Sequence, residues 1–140
     1  VWDAQSGQKL LTLQWHTGWV RSASFSPNGW RIVTASRDKT AIVWDAQSGE
    51  NILTLQGHTD WVLSACYSPD GRRIVTASPD RRAIVWDAQS GQKLVTLQGH
   101  TDWVRSASFS PDGRRIVTAS GDRTAMVWDA QSGQKLLELR

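Results

Sequence analysis

The heptapeptide VWDAQSG spans residues 1–7 and returns, letter for letter, at 43–49, 85–91 and 127–133. Each copy starts 42 residues after the last, with no insertion or deletion between them. The flanking segments recur with it: RIVTAS lies upstream at 31–36, 73–78 and 115–120, and the histidines His16, His58 and His100 keep the same spacing. Three full copies (1–42, 43–84, 85–126) are followed by a fourth that stops after 14 residues, and the first and third agree at 34 of 42 positions. Such closeness points to recent duplication or a designed array. A fixed period of this size predicts stacked supersecondary units, none of which can bury its apolar surface alone.

Each copy reads as four short strands. In the second they are WVLSACYS (61–68), RRIVTAS (72–78), RAIVWDA (82–88) and KLVTLQ (93–98). SPDG (68–71), PDR (79–81) and QSGQ (89–92) supply the turns between them, with Pro, Asp and Gly where turn geometry favours them. The apolar stretches are short and nearly continuous, rich in Val, Ile, Thr and aromatics, as in strands covered on both faces. In WVRSASF (19–25) the spacing of Val20, Ala23 and Phe25 slips from alternation by one residue, which predicts a bulge near Arg21 and Ser22. The fold class is therefore all-β, built from four-stranded antiparallel sheets, and twisted sheets stacked about an axis make a propeller.

The net charge of +3 invites a nucleic-acid reading, but the excess sits in one place: residues 1–42 carry five basic and two acidic side chains, while the later copies come to −1 and +1. A phosphate-tracking protein needs a continuous basic stripe. Nucleic acid is thus the alternative partner, through Arg37, Lys39, Arg81, Arg82 and Arg123, and not the expected one. No apolar run is long enough to span a bilayer as a helix. The single cysteine, Cys66, forms no internal disulfide framework and fits a reducing, cytoplasmic setting. It stands where the other copies have Ser24 and Ser108, as a small filler and not a nucleophile. One histidine per copy has no second ligand at metal-site spacing, so no metal and no cofactor are expected. No Gly-rich nucleophile elbow accompanies the serines, so a hydrolase triad is not expected either.

GH at Gly57–His58 and Gly99–His100, SPDG, the turn aspartate, and WD at Trp44–Asp45, Trp86–Asp87 and Trp128–Asp129 together resemble the WD-repeat family of β-propellers, over the whole chain. The resemblance implies a hydrogen-bonded chain of Trp, Ser or Thr, His and Asp inside each blade. The matching sets are His16, Ser36, Asp38, Trp44; His58, Ser78, Asp80, Trp86; and His100, Ser120, Asp122, Trp128. A buried indole N–H needs an acceptor, and a buried imidazole needs its tautomer fixed. The resemblance also implies a partner-binding face at the start of the first strand, two residues later, and just before the turn aspartate. Those positions are Trp19, Arg21, Arg37; Trp61, Leu63, Pro79; and Trp103, Arg105, Gly121. The implied function is a non-catalytic scaffold binding a protein or peptide; the further alternative is a purely structural, self-assembling or engineered repeat with no ligand.

On this reading residues 15–56, 57–98 and 99–140 are three blades, and residues 1–14 are the end of a third strand and the outer strand (QKLLTLQ, 8–14) of a preceding blade. Three blades are fewer than a closed propeller needs. The expectation is an incomplete ring, finished either by further blades of a longer chain or by a homo-oligomer. Trp15 and Trp30 occur only in the first copy, in place of Gly and Arg. If that glycine takes positive φ, an ordinary side chain there costs about 1–2 kcal/mol.

Overall fold

The computed structural model describes residues 1–140 and contains twelve strands and no helix. They are β1 (Val20–Phe25), β2 (Arg31–Ser36), β3 (Thr40–Asp45), β4 (Asn51–Gln56), β5 (Ser64–Tyr67), β6 (Arg73–Ala77), β7 (Arg82–Asp87), β8 (Lys93–Gln98), β9 (Val104–Phe109), β10 (Arg115–Ser120), β11 (Ala125–Asp129) and β12 (Lys135–Leu139). Each run of four forms one antiparallel meander, β1 to β4, β5 to β8 and β9 to β12. The three sheets are propeller blades in an open, incomplete ring.

The repeated heptapeptide ends one strand and makes the next turn. In the first blade, Trp44 points into the sheet stack, and Asp45 accepts hydrogen bonds from the backbone N–H of Gln47 and Ser48. Gly49 closes the turn at φ +77°, a conformation that glycine reaches without cost. The turn between the second and third strands instead places Lys39, Arg81 and Arg123 at φ of 73°, 71° and 70°. The first two of these turns carry an i to i+3 hydrogen bond, from Lys39 N–H to the Ser36 carbonyl and from Arg81 N–H to the Ser78 carbonyl.

Alternation then sorts the side chains. Along β2, Val33 and Ala35 face the second blade and join Val62, Ala65, Ile74 and Trp86 in one core. The second and third blades repeat this with Val75, Ala77 and Leu97 against Val104, Ala107, Ile116 and Trp128. The cores therefore lie between blades, not within them, which is why the strands read as apolar on both faces. Backbone bonds tie the seams, from Val62 N–H to the Ser36 carbonyl and from Val104 N–H to the Ser78 carbonyl.

The expected bulge is present, with the β1–β2 register slipping between Val20 and Ser22. Two expected strands differ. The first strand of the second blade is shorter than 61–68 and spans only Ser64–Tyr67. Residues 8–14 form no strand: one bridge joins Trp2 to Lys9, and Leu10 and Leu11 N–H bond the Val1 carbonyl. Val1, Trp2 and Asp3, which lie opposite them, are the equivalents of Val43, Trp44 and Asp45 at the end of β3. Even so, the segment sits where an outer strand belongs. A methyl built on Gly49 meets Leu11 at 3.0 Å, as one on Gly91 meets Leu53 and Leu55. Val1 and Leu13 cover Ile32, Ile42 and Trp44 of the first blade.

Candidate functional site

Two constellations were expected to matter, and the structure treats them differently. Inside each blade, the Trp44 indole N–H donates to Thr34 Oγ1 at 2.8 Å, Thr34 Oγ1 lies 2.7 Å from His16 Nε2, and His16 Nδ1 lies 2.7 Å from Asp38 Oδ2. The second blade repeats this as Trp86, Thr76, His58 and Asp80, the third as Trp128, Thr118, His100 and Asp122. With the proton on Nδ1, the donors run in one direction from indole to carboxylate.

This corrects the expected hydroxyl. Ser36, Ser78 and Ser120 are not in the chain; their Oγ atoms accept the backbone N–H of Asp38, Asp80 and Asp122 and so cap the turn. The reason is reach. Threonine lies two residues further inside the strand, on the same face, and is directly opposite the residue two before the tryptophan (Thr34 opposite Ile42). The serine lies at the strand's end.

The aspartate is held differently in the second blade. Thr40 and Thr124 donate to Asp38 and Asp122, whereas Arg82 replaces that threonine and reaches Asp80 Oδ2 at 2.9 Å. Burial pushes the Asp80 carboxyl up, but the hydrogen bond and charge of His58, then Arg82 and the Thr59 N–H, hold it well below the usual carboxylate range. Burial likewise raises Asp122, and Thr124, His100 and the Thr101 N–H more than reverse it. A depressed folded-state pKa gives stability that is fully present above the unfolded carboxylate's value and is lost as pH falls towards the folded one. The urea midpoint is therefore expected to fall as pH drops below about 4. In the Asp80→Asn, Asp122→Asn double variant that slope becomes shallower. A slope identical in wild type and double variant would show that these carboxyls do not carry it.

The second constellation lies at the loops before the first strands. The Arg37 guanidinium is sandwiched between two indoles, its Cζ 4.3 Å from the Trp19 ring centre and 4.0 Å from that of Trp61. Trp61 meets Trp103 edge to face at 6.5 Å. The result is one ridge, Trp19–Arg37–Trp61–Trp103, running across all three blades. Trp19 and Trp103 are exposed, and Trp61 is half-buried between its neighbours. The Arg37 Nε–H is buried without an acceptor.

Of the other expected face residues, Arg21 and Arg105 are exposed and Leu63 is half-buried. Pro79 is a correction: it stands in the column of Arg37 but is buried and offers no contact surface. Gly121 is half-buried, and a methyl built there meets Asp102 Oδ2 at 2.8 Å. Gly18 was missed. It replaces the aspartate of the other copies (Asp60, Asp102), and its Cα lies so close to Arg37 and Asp38 that a methyl would meet the Asp38 nitrogen at 2.7 Å. The signal was available: the only copy with Gly before the face tryptophan is the one with Arg before the turn aspartate.

Cys66 packs at the blade seam, its thiol donating to the Ala107 carbonyl at 3.3 Å, and burial pushes the thiol's pKa up. That disfavours the thiolate.

The family model described as WD domain, G-beta repeat matches residues 7–45, 49–87 and 91–129. Among curated proteins, Nuclear distribution protein PAC1 of Arthroderma benhamiae is 46% identical over 41 residues, 29% of this chain and 9% of that protein. Its namesake in Mycosarcoma maydis is 59% identical over 29 residues, 21% of this chain and 6% of that protein. The aligned segments thus span less than a tenth of these relatives. Two solved structures, titled Structure of U3-55K and Crystal structure of RRP9 WD40 repeats, each superpose with a TM-score of 0.87 at 26% identity. They cover 91% of this chain and 41% and 40% of those chains.

Proposed function

The chain belongs to the WD40 repeat family, and from that premise we propose that it is a non-catalytic scaffold whose tryptophan–arginine ridge binds a protein or peptide. WD40 propellers are typical protein-interaction scaffolds, so the family sets the class of function. The observation that carries the choice of surface is the sandwich of Arg37 between Trp19 and Trp61. It holds two large aromatic rings rigid on one face, Trp19 exposed and Trp61 half-buried, and Trp and Arg are the side chains most enriched at the centres of binding surfaces. Arg21 and Arg105 flank the ridge, so the partner segment is expected to combine apolar and acidic side chains.

The test uses a display library of random peptides panned on the chain. Selected peptides are expected to be rich in aromatic and acidic residues, and to lose about tenfold or more in affinity to the Trp19→Ala, Trp61→Ala, Trp103→Ala variant. Gln47→Ala with Gln89→Ala, on the outer turns, leaves binding unchanged. Peptides whose binding survives loss of all three tryptophans would place the site elsewhere. Tight binding to single-stranded nucleic acid with steep salt dependence would replace the protein reading with the nucleic-acid one.

A further inference from the structure

The two open faces of this chain are copies of faces that already meet twice inside it. Val62 and Val104 are sealed at the seams with 0% exposure, whereas their equivalent Val20 is 52% exposed. On the opposite side, Val33 and Val75 are sealed at 0%, whereas Val117 is 41% exposed. Phe25 at one end and Leu137 and Leu139 at the other lie in water in the same way. We propose that a second copy of this chain docks head to tail, the third blade of one copy seating on the first blade of the next.

The internal seams specify the contact. At the junction of the second and third blades, Arg73 donates to the Gly113 carbonyl at 2.8 Å and the Ala130 carbonyl at 3.1 Å, with its Cζ 5.2 Å from the Phe109 ring centre. Subtracting two periods from Gly113, Ala130 and Phe109 gives Gly29, Ala46 and Phe25 of the first blade, and adding one to Arg73 gives Arg115. Arg115 is exposed. Gly29, Ala46, Phe25 and Trp30 line an open recess of about 420 Å³ beside the Asp45 carboxylate. A methyl built on Gly113 meets the Arg73 guanidinium at 3.7 Å; one on Gly29 meets nothing. A second, apolar recess of about 420 Å³ adjoins it, lined by Val1, Trp2, Leu13, Ala23, Phe25 and Ile32. Arg115 of one copy thus enters the first recess, over Phe25 of the next, and the apolar face around Val117 covers Ala23, Phe25 and Ile32 in place of the N-terminal segment.

Trp30 marks the same edge. Its equivalents Arg72 and Arg114 line the grooves at the two internal seams. The first copy alone writes tryptophan there, beside the open recess. Two copies bring six blades, within the four to eight that close a propeller, and three would bring nine. Both β12 and residues 8–14 claim one place, since Leu137 and Leu139 are the equivalents of Leu11 and Leu13. Residues 8–14 hold by a single bridge and β12 by a full ladder, so the N-terminal segment yields.

The 140-residue chain is expected to sediment as a concentration-dependent dimer. Arg115→Glu blocks one face and Phe25→Asp the other; both sites are exposed, so each variant keeps the wild-type circular dichroism and sediments as a monomer. Mixed in equal amounts they form a one-to-one dimer, because each retains the face that the other has lost. Trp61→Ala, on the ridge but within the chain's own seams, dimerises as wild type does, which separates this contact from the ligand ridge. A monomeric wild-type chain, single variants that still associate, or a mixture that stays monomeric would overturn the proposal.

Discussion

His100→Ala is expected to lower the stability of the chain by about 3 kcal/mol, because it strips a nearly buried carboxylate of a hydrogen-bond donor and leaves the Thr118 hydroxyl without its ring-nitrogen partner. The Asp122 side chain is 8% exposed and its remaining side-chain donor is the neutral hydroxyl of Thr124. His58→Ala is expected to cost less, about 1–3 kcal/mol, since Arg82 still pairs with Asp80. The same logic ranks the hydroxyls. Thr76→Val leaves the Trp86 indole N–H and His58 Nε2 without partners and costs about 1–3 kcal/mol, whereas Ser78→Ala removes only a turn cap. Urea midpoints of the four single variants decide the matter. If Ser78→Ala costs as much as Thr76→Val, the buried chain runs through the serine after all. If His58→Ala and His100→Ala are equal, Arg82 does not compensate.

The repeat made the blade legible before any geometry was known. A 42-residue period with turn residues at constant offsets leaves few ways to fold, and the alternation slip at Val20, Ala23 and Phe25 located a bulge to within a residue. What the copies share, however, cannot be ranked by comparing them. Thr34 and Ser36 are equally invariant across the three copies, and only the register of β2 against β3 shows which hydroxyl reaches the indole. The face was legible where the copies differ, and Arg37 stands out for that reason. Its sandwich was not legible, because contacts between blades depend on the stacking rotation, which no single repeat encodes. Pro79 occupies the same column and is buried, so a variable column need not be an exposed one.

Gly57→Ala and Gly99→Ala are each expected to cost about 1–3 kcal/mol, by overpacking and not by backbone strain. Gly57 and Gly99 are absent from the positive-φ positions, so the expected conformational reason for glycine there does not hold. The close approach of a tryptophan explains it instead. A methyl built on Gly57 meets Trp86 Cη2 at 3.0 Å, and one on Gly99 meets Trp128 Cη2 at 3.1 Å. Neither indole can retreat, since both are buried and pinned by the N–H bond to threonine. Both glycines also follow strands, β4 and β8, whose ladders fix the backbone. Trp15 holds the equivalent position in the first blade, where residues 8–14 before it form no ladder, and it is 69% exposed. Trp15→Gly is accordingly expected to change stability by no more than about 0.5 kcal/mol. The three variants are compared by urea midpoint under one condition. An unchanged midpoint in Gly57→Ala and Gly99→Ala would mean that the indole contact is not what requires glycine. A large gain from Trp15→Gly would mean that the first blade carries the same clash and has not relaxed it.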